Sequence, residues 1–65
     1  MGIGTELRRY REKRHLTQEE LGQMVGLERS FVSRVERDEA RLSVEALGQI
    51  VVRLGWSRRA IGDLL

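Results

Sequence analysis

Apolar residues along the chain recur every three or four positions instead of alternating with polar ones. This spacing places apolar side chains on one face of a helix, so it predicts helices rather than strands. Turn signals divide the pattern into five short segments. We expect helices over residues 5–14, 17–25, 28–37 and 44–54, with a last short one after residue 57. The fold class predicted from this pattern is all-α.

The residues at the ends of these segments are typical of helix caps. Thr17 followed by Glu20 indicates a capping box, in which each side chain bonds the backbone amide of the other residue. Gly26 suits the left-handed backbone that ends a helix. The same reasoning places other ends at Thr5, Ser43, Gly55 and Ser57.

The apolar face of each helix predicts the core. Leu27, between the second and third helices, is expected to fill the space between them. The other predicted core residues are Ile3, Leu7, Tyr10, Leu21, Met24, Val25, Val32, Val35, Val44, Leu47, Ile50, Val51 and Leu54.

The join between the second and third helices is the most informative one. Only Val25, Gly26 and Leu27 connect the two apolar patterns. Two helices joined by a turn of three or four residues that contains Gly form a helix-turn-helix unit. The sequence therefore predicts such a unit over residues 17–37.

The polar face of the third helix carries groups that can read DNA. A helix fits the major groove, where Arg bonds guanine through two hydrogen bonds. Phe31 lies on the flank, where its ring either touches the DNA or completes the edge of the core. Taken alone, such a polar face is more often simply solvated, so the prediction depends on the preceding turn. The residues predicted to meet DNA are Glu28, Arg29, Ser30, Phe31, Ser33, Arg34 and Arg37.

Composition excludes several classes of function for this chain. The chain has 65 residues and a net charge of +2, and eleven of its twelve basic residues are Arg. Without Cys and with His15 as the one histidine, it offers neither zinc ligands nor a nucleophile–base pair. No segment approaches a membrane span of about 18 apolar residues. We expect one cytoplasmic domain over residues 1–65, without enzymatic activity, metal, cofactor or membrane contact.

Five segments together form a recognisable pattern. They are Leu7-Arg8-x-x-Arg11, Leu16-Thr17-Gln18-Glu19-Glu20-Leu21, Val25-Gly26-Leu27, Phe31-Val32-Ser33-Arg34-Val35-Glu36-Arg37 and Leu42-Ser43-Val44-Glu45-Ala46-Leu47. The pattern resembles the Cro/repressor-type (XRE) helix-turn-helix family over residues 4–56. Within that family, the chain is similar to the controller proteins of restriction-modification systems.

The resemblance implies a compact, lambda-repressor-like bundle of four or five helices. Such proteins regulate transcription by binding palindromic operators in double-stranded DNA as homodimers. Gln18 matches a phosphate-binding position, which agrees with its place at a helix N-terminus. Arg11 and Glu36 match a pair that forms a buried salt bridge. The positions that match base-contacting ones are Glu28, Arg29, Ser30, Ser33 and Arg34.

Two positions depart from the family pattern, and both follow the third helix. Asp38 stands where the family often has Gly, and Asp adopts the left-handed cap less readily. Leu42 stands where the family often has Pro. These departures concern the loop over residues 38–42, from which we expect Arg41 to reach a phosphate.

Residues 52–65 supply apolar side chains for a dimer. Two copies one helical turn apart read a palindrome whose half-sites are about 34 Å apart. We expect these side chains to form the two-fold interface, unless Trp56 and Ile61 complete the monomer core instead. The residues concerned are Val52, Trp56, Ile61, Leu64 and Leu65.

Two other interpretations stay open. Domains of this type also serve as antitoxin-like or coactivator-like modules that bind a protein. Such a complex would persist at high salt, whereas DNA binding weakens steeply through counterion release. Alternatively, the chain is the DNA-binding fragment of a longer regulator.

Overall fold

The computed structural model describes residues 2–56, and every regular element in them is a helix. The helices of this part of the chain are α1 (Ile3–Lys13), α2 (Gln18–Val25), α3 (Arg29–Glu36) and α4 (Val44–Leu54). They pack around one core, which confirms the all-α fold class. The further helix that we expect after Ser57 lies outside the described residues.

α1 begins earlier than the sequence predicts. The prediction that Thr5 caps it is wrong, because Gly2 occupies the N-cap position and no side chain caps the first turn. Gly4 is buried against the backbone of α3, where a Cβ would overlap the carbonyl oxygen of Val35. Packing against α3, and not a local cap, therefore accounts for the position of this helix start.

The predicted caps of α2 and α4 are confirmed. The hydroxyl of Thr17 accepts a hydrogen bond from the N–H of Glu20 at 3.0 Å, and the Glu20 carboxylate accepts from the N–H of Thr17 at 2.8 Å. Gly26 ends α2 with a φ of 75°, a left-handed conformation that glycine adopts without steric penalty. Ser43 caps α4 by accepting from the N–H of Ala46 at 3.0 Å.

The turn between α2 and α3 brings the two backbones close together. The N–H of Leu27 donates to the carbonyl oxygen of Gly22 at 2.8 Å, and Leu27 packs against the core. Gly22 is buried, and a Cβ there would overlap the carbonyl oxygen of Leu27. The chain returns to helix at Arg29, with Glu28 as the N-cap. α2, this turn and α3 form the helix-turn-helix.

The core draws on all four described helices. Two predicted members are wrong, since Met24 is 38% exposed and Val44 is 88% exposed. Each lies on the flank of the buried face of its helix, and apolar spacing defines the middle of such a face better than its edges. The buried apolar residues are Leu7, Leu21, Val25, Val32, Val35, Ile50 and Leu54.

α3 ends in a regular way although Asp38 replaces the expected glycine. Asp38 adopts the left-handed conformation with a φ of 61°. Its N–H donates to the carbonyl of Val35 at 3.0 Å, and the N–H of Glu39 donates to that of Arg34 at 2.8 Å. These two bonds form a Schellman ending, the arrangement that a glycine would make at this place. The departure at residue 38 therefore does not change how α3 ends.

Candidate nucleic-acid interface

One open depression on the surface gathers six of the residues that the sequence assigns to DNA. Its volume is about 280 Å³. Five of the residues come from α3 and its C-cap, and one comes from the first position of α2. The lining residues are Gln18, Arg29, Ser30, Ser33, Arg34 and Arg37.

The burial of α3 determines which of its side chains reach this surface. Val32 is fully buried and Val35 is 1% exposed, so this side of the helix belongs to the core. The opposite side therefore faces outward, and Arg29, Ser30 and Arg34 are exposed on it. Arginine and serine together provide charged donors and hydroxyl groups along one outward face.

The depression is positively charged. Arg29 and Arg34 form no ion pair with any residue in the described range 2–56. Arg37 is partly engaged, because its Nη2 lies 3.3 Å from the Glu39 carboxylate and its Nε donates to the carbonyl oxygen of Ser33 at 3.3 Å. Arg29 and Arg34 are thus available for an anionic ligand, whereas Arg37 would first have to release Glu39.

An ion pair beneath this surface connects α1 to α3. The Nε and Nη2 atoms of Arg11 donate to the two carboxylate oxygens of Glu36 at 2.9 and 3.0 Å. The side chains are 16% and 3% exposed, respectively. The hydrogen bond to Glu36 raises the pKa of Arg11, outweighing the opposite effect of burial. The structure therefore contains the pair that the family resemblance implies.

The same network reaches the depression through Gln18. The side-chain Nε2 of Gln18 donates to Oε1 of Glu36 at 3.2 Å. Arg11 also donates from Nη1 to the carbonyl oxygen of Leu16, at 3.0 Å, just before α2. Sequence reasoning missed the bond between Gln18 and Glu36, because nothing in the spacing of the two residues indicates it. The Arg11–Glu36 pair thus orients Gln18, which lines the depression, and also connects α1 to α3.

A family model described as helix-turn-helix matches residues 7–61. The chain belongs to the Cro/repressor-type (XRE) helix-turn-helix family. A search of the curated proteins and a search of the solved structures each found no match. As a member of the XRE family, the protein is a DNA-binding regulator. The depression on α3 therefore lies on the element with which this regulator would meet DNA.

Three residues that the XRE resemblance or the helical pattern assigns to DNA lie outside the depression. Glu28 is exposed at the N-cap of α3, and Arg41 is exposed in the loop before α4. Phe31 is half-buried and packs against the core, as the alternative interpretation of this residue expects. Leu42, which replaces the proline common in XRE proteins, also packs against the core and holds this loop on the domain.

The residues expected at an XRE dimer interface fall into three groups. Val52 is 79% exposed on α4. Trp56 is half-buried, and its ring meets Tyr10 edge to face with centroids 6.3 Å apart, so part of it belongs to the monomer core. The remaining three, Ile61, Leu64 and Leu65, lie outside the described residues.

Neither a membrane-spanning helix nor a metal-binding cluster is found in the described part of this XRE protein. No helix within residues 2–56 is long and apolar enough to cross a membrane. In the same range, no three histidine, aspartate or glutamate side chains come together in a way that could hold a metal ion.

Proposed function

We propose that this protein is a sequence-specific transcriptional regulator that acts in the cytoplasm. It binds a palindromic operator as a homodimer, with α3 of each copy in the major groove. The observation that carries the proposal is a depression that joins the outward face of α3 to the first residue of α2. A reading helix and a phosphate-contacting helix start are both needed to set a domain on DNA.

The chemistry of the lining residues supports readout of base edges. Arg29 stands in the first turn of α3, where a recognition helix contacts bases. Its guanidinium can donate two hydrogen bonds to O6 and N7 of guanine. Ser30 and Ser33 can donate or accept, and Arg34 extends the charged face by a further turn. Gln18 at the start of α2 bonds Glu36 with one hydrogen of Nε2 and can offer the other beside free backbone N–H groups, an arrangement that favours a phosphate.

The small size of this reading face supports a dimer. An α3 of 8 residues is about 12 Å long, so it covers only a few base pairs. Two copies related by a two-fold axis read twice as many, with half-sites about 34 Å apart on one side of the duplex. Val52 is an exposed apolar residue on α4 that suits the predicted contact between copies.

The proposed reading face predicts the effect of Arg29→Ala. Binding-site selection from random duplexes should return a palindrome with guanine in each half-site for the native chain. Arg29→Ala should lose the guanine preference and bind the selected site about 1–3 kcal/mol more weakly per half-site.

Arg8→Ala is the matched control, because it removes the same charge from an exposed residue of α1 outside the depression. It should select the same motif as the native chain. A folded native chain that enriches no motif, but retains a protein partner at high salt, would overturn the proposed function.

The proposed dimer predicts different results for two exposed valines at opposite ends of α4. Val52→Asp should convert the protein to a monomer in light scattering, because it places a carboxylate in the contact. Val44→Asp, at a residue that is 88% exposed and outside the predicted interface, should leave the dimer intact. Neither change should alter the helical circular dichroism. A native chain that is monomeric both free and on DNA contradicts the proposal.

A further inference from the structure

Glu28 is the one acidic residue among those that the sequence predicts to meet DNA. It is the N-cap of α3 and directly precedes Arg29, which lines the positive depression. Its backbone is extended, with φ −72° and ψ 150°, and its side chain is exposed. Its carboxylate caps no backbone N–H of α3 and forms no ion pair with any residue from 2 to 56. Within the described chain this carboxylate is therefore available to a ligand.

Helix stability alone does not explain glutamate at this position. The helix dipole favours a negative charge here, but Asp would supply the same charge and a hydrogen-bonded cap as well. N-caps are normally Ser, Thr, Asp or Asn, whose short side chains reach the free N–H groups of the first turn. α2 and α4 follow this rule, since Thr17 and Ser43 both make the expected bonds. Glu28 makes no such bond in α3. The residue at this position thus leaves the start of α3 less stable than it could be.

General affinity for DNA does not explain it either. A carboxylate close to a duplex is repelled by the phosphates, and the neighbouring arginines supply the attraction. An acidic residue is favourable there only when it meets a specific donor. Because α3 enters the groove by its N-terminal end, the donor must come from a base edge.

Only one base edge in the major groove suits a carboxylate well. Ionised glutamate only accepts hydrogen bonds. Guanine presents two acceptors in the groove and thymine presents an acceptor and a methyl group. Adenine offers a donor next to an acceptor, whereas cytosine offers its N4 amino group as a donor alone.

We propose that Glu28 selects a cytosine in each half-site, beside the guanine that Arg29 contacts. This inference rests on the proposed function, since it assigns a base to one residue of the same site. The carboxylate acts in two ways. It accepts from the cytosine amino group at the operator, and it weakens binding at all sites where no donor faces it. Glu28 thereby raises the ratio of specific to non-specific binding.

Replacement of Glu28 by glutamine tests the assignment, because it removes the charge and keeps the shape. Glutamine pairs with the N6 and N7 atoms of adenine. Binding-site selection with Glu28→Gln should therefore lose cytosine at one position of each half-site and gain adenine. Affinity for the native site should fall about tenfold or more, as expected for one lost base contact. Affinity for an unrelated duplex at the same salt concentration should rise.

Glu28→Asp is the second variant, since it keeps the charge, shortens the side chain and provides a better cap. It should fold at least as well, lose the cytosine preference, and bind an unrelated duplex as weakly as the native chain.

Three outcomes separate this assignment from the proposed function. If the native chain and Glu28→Gln enrich the same motif with the same cytosine, Glu28 does not read a base and the assignment is wrong. If Glu28→Asp keeps the cytosine, the reach of the side chain is irrelevant and the assignment is equally wrong. If the native chain itself enriches no motif, the proposed function fails first and the assignment fails with it.

Discussion

Gly22→Ala should destabilise the domain by about 3 kcal/mol, although alanine is the better helix former. A Cβ at this position would overlap the carbonyl oxygen of Leu27, so the turn between α2 and α3 would have to open. Overpacking, with the backbone shifts that it forces, costs about 1–3 kcal/mol and occasionally more, and an overlap with a backbone atom lies at the upper end of this range. A domain of this size is expected to have about 3–10 kcal/mol of stability in total. Urea denaturation followed by circular dichroism measures the loss.

Gly48→Ala is the matched control for this prediction. Gly48 is exposed in α4, and a Cβ there would meet no atom within 4 Å. The change should stabilise the protein by about 0.5–1 kcal/mol through helix propensity alone. Gly4→Ala should behave like Gly22→Ala, because its Cβ would overlap the backbone of Val35. If Gly22→Ala proves as stable as Gly48→Ala, the two backbones are not in close contact at this turn.

Glu36→Gln should have the second large effect, lowering the free energy of unfolding by about 3–5 kcal/mol. The change leaves the Arg11 guanidinium without its negative partner in a place where little water reaches it. The side chain of Glu36 is only 3% exposed and accepts from Arg11 twice and from Gln18 once. Removing one partner of a buried pair is strongly destabilising, even where the intact pair contributes little net stability.

Glu39→Gln provides the comparison, since it removes a carboxylate from an arginine in an exposed pair. The side chains of Arg37 and Glu39 are 57% and 53% exposed. Exposed pairs of this kind contribute about 0–1 kcal/mol, so the midpoint in urea should hardly move. Equal effects of Glu36→Gln and Glu39→Gln on the urea midpoint would show that the burial of the Arg11–Glu36 pair does not determine the cost of breaking it.

Local features of the fold could be predicted from the sequence, because they depend on residues close together in the chain. The capping box of Thr17 and Glu20 and the left-handed Gly26 follow from neighbouring backbone groups. The buried side of α3 follows from the spacing of Val32 and Val35. This same spacing, by elimination, indicates the outward face, which is why five predicted DNA-contacting residues of α3 and its C-cap meet in one depression.

Features that depend on distant parts of the chain could not be predicted from local spacing. The start of α1 is set by the approach of Gly4 to Val35, so the hydroxyl of Thr5 gave the wrong cap. The bond from Gln18 to Glu36 joins two helices whose relative position the spacing does not define. The Arg11–Glu36 pair was expected only from the family resemblance, since each residue alone looks like an ordinary surface charge.

The way in which α1 is fastened to α3 limits how this helix-turn-helix can be transplanted. Gly4, near the start of α1, packs on the backbone of Val35, and Arg11, near its end, bonds Glu36. Both attachments hold the C-terminal half of α3 and leave its leading turn uncovered. A graft that takes only α2 and α3 would therefore carry the DNA-contacting residues without the contacts from α1 that hold α3 in position. A transferable cassette has to include α1 with them.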